Sequence, residues 1–229
     1  MEFKQLHAWR VGCQKAAKIQ EDLRGLLSFE KPRGILRTVA GADISYNKRS
    51  NRFFAGVVVL KLNKSLEKIE EATAEGTVKF PYIPGFLSFR EAPILLKAFK
   101  KLKHSPDVIL FDGQGIAHPR GFGLASHLGL ILDKPSVGCA KSRLVGEFLP
   151  IGDAAGSYSR LFYQHEVVGA ALRTKTHTKP VFVSPGHKTN LAFSLHIVLR
   201  TCRGYRVPEP IRQAHLLVNR LRIMRTISV

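Results

Sequence analysis

Three acids stand out in a chain that has few of them: Asp43, Glu91 and Asp112. Asp43 sits inside Val39-Ala40-Gly41-Ala42-Asp43-Ile44-Ser45-Tyr46, a run with strand character. Strand alternation puts Val39, Gly41, Asp43 and Ser45 on one face. A lone Asp there is disfavoured by propensity and by burial, unless the strand is an edge and the acid is solvated. Glu91 lies at the start of a helical pattern. Ser88-x-x-Glu91 is also a capping box, and spacing alone does not choose between a cap and a ligand. Asp112 ends the apolar run Val108–Phe111 and opens Asp112-Gly113-Gln114-Gly115-Ile116-Ala117-His118-Pro119-Arg120. Two glycines there let backbone N–H groups approach a ligand, although the spacing is neither a dinucleotide nor a Walker loop. Two carboxylates about 4 Å apart repel by roughly 4 kcal/mol at an effective dielectric near 20. If the acids converge, the cluster needs a proton or a hard divalent cation such as Mg²⁺ or Mn²⁺. Such an ion could activate water beside a phosphate.

Other residues are read with open alternatives. Lys141 follows Val137-Gly138-Cys139-Ala140 and either faces a phosphate or is an ordinary solvated lysine. His215, between apolar neighbours in a helical run, reads first as a core histidine. The segment Pro81-Tyr82-Ile83-Pro84-Gly85-Phe86-Leu87-Ser88-Phe89-Arg90-Glu91 stiffens an aromatic tip beside an acid. That tip is either a packed turn or a wedge that fills the gap left by an unstacked base.

The elements that must position these residues follow from periodicity. Residues 7–28 read as a helix. Thr38–Ser45, Phe53–Leu62 and about Ile69–Val78 read as three strands with short links, an antiparallel meander. A helix spans about 89–103, in which Pro93 fits only the first turn. The strand Val108–Phe111, a helix over Phe122–Leu132 and the strand Ser136–Cys139 come next. Val167–Leu172 and Val181–Val183 are further strands, and Lys188–Arg200 and Ile211–Ile223 are helices. Three antiparallel strands followed by strand–helix alternation imply a mixed α/β sheet with helices on its faces. Ligands gather beyond the carboxyl ends of parallel strands in such sheets, where Asp112 falls. No internal repeat or low-complexity linker breaks the chain, so one domain over 1–229 is expected.

Composition agrees with a polyanionic partner. The 229 residues carry 36 Lys and Arg against 17 Asp and Glu, a net charge of +19. Residues 167–229 hold eleven Lys and Arg and a single acid, Glu209. A hydrophobic content of 45% supports a core and excludes a disordered basic tail. Three widely spaced cysteines, with no CxxC, argue for reduced thiols in a cytoplasmic protein. Neither a signal peptide nor a membrane span is expected.

With these residues assembled, the chain resembles the endonuclease V family, deoxyinosine-directed nucleases with a ribonuclease H-like fold. The resemblance rests on 40–46, Pro81–Gly85 through Phe89-Arg90-Glu91, 112–120, Gly123-Leu124-Ala125-Ser126-His127-Leu128-Gly129, Gly138–Ser142 and Val183-Ser184-Pro185-Gly186-His187, in family order. It implies that Asp43, Glu91 and Asp112 hold Mg²⁺, with Mn²⁺ able to substitute, and that His215 completes the acidic site. It implies that Lys141 contacts the scissile phosphate or its neighbour. Tyr82 takes the wedge role within Pro81, Ile83 and Pro84, Arg90 and His118 lie near the nucleic acid, and Gly85, Leu87, Gly113 and Gly115 line the base pocket. The implied activity is hydrolysis of the second phosphodiester bond 3′ to deoxyinosine in DNA, leaving 3′-hydroxyl and 5′-phosphate ends and starting repair, by a monomer. Inosine in RNA, another ribonuclease H-like cleavage, and a basic binding protein without activity are the alternatives.

Overall fold

The computed structural model describes residues 1–47 and 51–227. The tight turn expected between the first two strands falls on residues 48–50, outside the described residues. Eight strands form one sheet: β1 (Thr38–Asn47), β2 (Arg52–Lys61), β3 (Lys68–Thr77), β4 (Val108–Phe111), β5 (Ser136–Ala140), β6 (Tyr158–Tyr163), β7 (Glu166–Leu172) and β8 (Val181–Pro185). Their spatial order is β3-β2-β1-β4-β5-β8-β7-β6. β1, β2 and β3 are the antiparallel meander, and β4 and β5 run parallel to β1. β8, β7 and β6 then complete the sheet with antiparallel pairings. The helices are α1 (Cys13–Arg24), α2 (Leu87–Lys100), α3 (Leu124–Leu132), α4 (Leu191–Arg200) and α5 (Glu209–Ile227).

The central strands are apolar on both sides because both faces are covered. In β4, Ile109 and Phe111 point into a core shared with α1, α2 and α3, together with Phe53, Phe89, Phe99 and Leu128. Val108 and Leu110 point the other way, into a core with Val58, Leu60, Val198, Ile211 and Leu217 of β2, α4 and α5. Each such side chain contributes on the order of 1.5–3 kcal/mol when fully buried. Thus α2 approaches the β1–β4 edge from one face and α5 from the other.

The alternation in β1 does what the pattern requires. Gly41 faces α5, and a Cβ there would lie 2.0 Å from the Pro210 carbonyl carbon. Only glycine lets the start of α5 press onto β1 at that point. The next residues on the same face, Asp43 and Ser45, reach His215 and Asn219 of α5.

Three expectations change. The N-terminal helix is shorter than 7–28. Residues ahead of Cys13 form a strap instead, in which His7 and Trp9 pack on the buried His127. Pro93 lies inside α2, beyond its first turn, because the helix begins at Leu87. β6 carries no strong strand pattern, since as an outer strand it buries only Leu161 fully.

Candidate active site

The parallel register pairs Ala42 with Phe111, so the residues that follow, Asp43 and Asp112, emerge side by side. The Asp112 N–H donates to the Ala42 carbonyl at 3.3 Å, extending that pairing by one residue. Asp43 is 9% exposed and Asp112 is partly buried. Glu91 arrives on the second turn of α2. The Ser88–Glu91 capping box is not formed: the N-cap is Phe86, and Ser88 Oγ lies within the helix, 3.0 Å from Nδ1 of His127. Glu91 is therefore free of a capping task.

The three carboxylates sense one another. Withdrawal from water, then the charges of Asp43 and Asp112, push the Glu91 pKa well above the usual carboxylate value. Burial and then Asp43 raise Asp112, against the opposing pull of Lys141. Lys141, just beyond β5, forms an ion pair with Asp112 Oδ2. Burial works against the Lys141 charge, but that ion pair outweighs it and its pKa rises.

His215 is not a core histidine. It is exposed, and its Nδ1 lies 2.7 Å from Asp43 Oδ2. The hydrogen bond to Asp43 is the main cause of its raised proton affinity. A directional chain backs it: Arg222 Nε donates to Ser45 Oγ at 2.9 Å, and Ser45 donates to Asn219 Oδ1 at 3.0 Å. Asn219 then turns its Nδ2 toward His215 Nε2 at 2.9 Å. Asn219 and Arg222 went unnoticed in the sequence, although Asn219 lies one helical turn after His215.

The donor set fits a hard divalent cation, being three oxygen acids whose mutual repulsion an ion would relieve. Among the described residues, however, no group of three or more His, Cys, Asp or Glu side chains is placed so that it could hold a metal ion as the side chains stand. Oxygens of Asp43 and Asp112 are directed at His215 and Lys141 instead.

Beside the acids, the Tyr82 tip protrudes with 71% of its surface exposed, flanked by the exposed Pro81 and Pro84 and the partly buried Ile83. Its base is firmly held. Gly85 takes φ +82°, and its carbonyl accepts from Arg120 Nη2 at 2.7 Å, His118 Nε2 at 2.9 Å and Gln20 Nε2 at 3.1 Å. His118 is thus 4% exposed, beneath the loop rather than at its surface. Burial lowers its pKa to about 4, outweighing the Gly85 hydrogen bond. Arg90 donates to the Phe80 carbonyl at 2.7 Å and stacks 4.7 Å from the Phe53 ring centroid. Both residues brace the tip from within.

The glycines of the Asp112 loop are buried. A Cβ on Gly115 would lie 1.9 Å from the Pro185 carbonyl oxygen, so that residue allows the loop to sit on the end of β8. The Gly115 N–H already donates to Ser184 Oγ at 2.8 Å, and the Gly113 N–H to the Phe111 carbonyl at 2.9 Å. Leu87, the first residue of α2, is partly exposed beside this loop's partner, the Gly85 turn.

The endonuclease V family profile matches residues 19–216, which span the tip, the acid cluster and His215. The chain belongs to the endonuclease V family. An endonuclease V from Methanothrix thermoacetophila is 50% identical over 217 residues, covering 95% of each chain. The crystal structure of endonuclease V from Streptomyces avermitilis superposes with a TM-score of 0.90 at 38% identity, covering 96% of each chain. That of Ciona intestinalis endonuclease V, in complex with a 24mer DNA containing an inosine followed by a ribo-adenosine, gives 0.78 at 27% identity over 93% of this chain and 98% of that one. Family membership makes the protein a nuclease with a ribonuclease H-like fold. The acids at the β1–β4 edge are the chemically distinctive part of that fold here.

Proposed function

We propose that the protein is a Mg²⁺-dependent endonuclease that recognises deoxyinosine in DNA. It hydrolyses the second phosphodiester bond 3′ to the lesion, leaving a 3′-hydroxyl and a 5′-phosphate, and so opens the strand for repair. The observation that carries this reading is the side-by-side emergence of Asp43 and Asp112, with Glu91 close enough for the charges of both to raise its pKa. The Ciona relative's complex with inosine-containing DNA supports the substrate.

Asp43, Glu91 and Asp112 would hold the ion, which when bound supplies Lewis-acid charge to the phosphoryl group and acidifies a water. Lys141, beside Asp112, brings a fixed positive charge to where the scissile phosphate lies. His215 keeps Asp43 oriented and stands exposed at the same edge. Tyr82 fills the gap left by the flipped base. Inosine lacks the 2-amino group of guanine, so a close wall near Gly85 and Leu87 accepts its edge and excludes guanine. The tightly held Gly85 turn is suited to such a wall.

Cleavage of a duplex with one deoxyinosine, with and without Mg²⁺, tests the proposal. The native protein cuts only with the ion and at the stated bond. Asp43→Ala and Asp112→Ala lose cutting by about 10³-fold or more and retain most of their DNA affinity. Near-native cleavage by either variant would remove the metal assignment. The ribo-adenosine in the Ciona ligand favours one further reading, inosine in RNA. Matched DNA and RNA oligonucleotides, cut side by side, decide between them.

A further inference from the structure

We propose that Tyr205, backed by Arg212, is a second stacking platform that receives a base on the 3′ side of the cut. The inference rests on the nuclease reading above, in which a nucleic-acid strand crosses the acid cluster. Tyr205 lies in the loop that joins α4 to α5, and its side chain is 53% exposed. One side of the ring is covered by the Arg212 guanidinium, 4.4 Å from the ring centroid. Arg212 is itself fixed, donating to both oxygens of the buried Glu209 at 2.6 and 2.7 Å. Gln213 adds a third bond to Glu209 at 3.0 Å. An exposed ring seated on a rigid, locally neutralised cation offers a π face at little ordering cost.

The neighbouring arginines do not compete for this role. Arg200 donates to the Leu62 carbonyl at 3.0 Å, and Arg203 to the Lys64 carbonyl at 2.8 Å. Arg206 donates to the carbonyls of Lys141 at 2.6 Å and Pro180 at 2.7 Å. Their guanidiniums are tied to backbone carbonyls, and Tyr205 is the aromatic side chain that this loop exposes.

Position gives the platform its meaning. Through Arg206 the loop is tied to Lys141, the partner of Asp112, and Arg212 lies one helical turn ahead of His215, the partner of Asp43. The platform therefore stands beside the acids. It also lies on the opposite side of the sheet from the Tyr82 tip. Phe80 and Phe86 around that tip belong to the core shared with α2, whereas α5 belongs to the other core. A strand passing from Tyr82 across the acids reaches Tyr205 next. If the base at Tyr82 marks the lesion and the cut lies 3′ to it, the base at Tyr205 lies beyond the cut.

Fluorescence of 2-aminopurine deoxynucleotide tests this directly. The probe is placed at the first, second or third position 3′ to the cut in an inosine-containing oligonucleotide, with divalent metal left out. Native protein and Tyr205→Phe quench the probe at one of these positions, and Tyr205→Ala and Tyr205→Leu do not. With metal, Tyr205→Ala raises KM about tenfold, leaves kcat within about twofold, and is rescued by Tyr205→Phe. Equal quenching by native protein and Tyr205→Ala, or none by the native protein, overturns the platform even while inosine is still cut. Tyr205-dependent quenching without any inosine preference would instead overturn the lesion reading and keep the platform. Unchanged melting temperatures for the variants separate either result from misfolding.

Discussion

Glu91 is where the fold carries a stability cost at the acid cluster. Its pKa is raised first by withdrawal from water and then by Asp43 and Asp112. A carboxyl whose folded value exceeds its unfolded one binds the proton more tightly in the native state. The native state is then favoured at low pH and loses stability as pH rises from about 4.5 toward the folded value. Glu91→Gln keeps the shape and removes the charge. At neutral pH and without divalent ion, the variant should melt about 3–6 °C higher, a gain of about 1–2 kcal/mol for a chain of this size. The advantage should shrink as pH falls to 4.5. Mg²⁺ should raise the melting temperature of the native protein and not that of the variant. A variant that is equally or less stable at neutral pH would show that the three acids do not repel in the folded protein.

At the scale of elements, the strands that lead into the acids are legible because β1 and β4 are largely apolar on both faces up to Asp43 and Asp112. Pairing was legible too, since a meander followed by a strand–helix alternation leaves β1 free on one side to receive β4. The capping box stayed open because Ser88 and Glu91 match its pattern, and only the fold shows that α2 starts at Leu87 and that the Ser88 hydroxyl pairs with His127. The family resemblance places His118 and Arg90 near the nucleic acid, and sequence position alone does not say what their side chains touch. Only the fold shows that each bonds to a backbone carbonyl beneath it. Arg206 gave no signal at all, because a guanidinium that gathers carbonyls from Lys141, Lys179 and Pro180 depends on contacts between distant segments. The tip makes a prediction of its own. His118 has its pKa lowered from 6.5 to about 4, so the fold holds it neutral. Its contribution is full above pH 6.5 and is lost as pH falls toward 4. At about 1.4 kcal/mol per pH unit the loss is about 3 kcal/mol. Denaturant melts of native protein and His118→Gln between pH 7 and 4 should show a shallower decline for the variant. Parallel curves would mean that folding does not lower the proton affinity of His118.

For the whole molecule, the net charge of +19 should govern how tightly nucleic acid is held but not which base is chosen. Part of that charge is already committed: Arg90, Arg173, Arg200, Arg203 and Arg206 donate to backbone carbonyls, and Arg212 to Glu209. The phosphate contacts must come from the remainder. A protein that makes six to ten such contacts loses about 10³–10⁵ in affinity between 50 and 200 mM salt. In the proposed mode, base recognition depends on a wedge, a close wall and stacking, none of which releases counterions. Affinity for inosine-containing and plain duplexes should therefore fall along parallel lines in a plot of log K against log salt, with their ratio constant within about threefold. Fluorescence anisotropy on the two duplexes without divalent metal measures both lines. If the ratio collapses toward one as salt rises, discrimination comes from charge, and the wedge role of Tyr82 loses its physical basis. If the ratio holds, Tyr82→Ala should reduce it at every salt concentration without changing either slope.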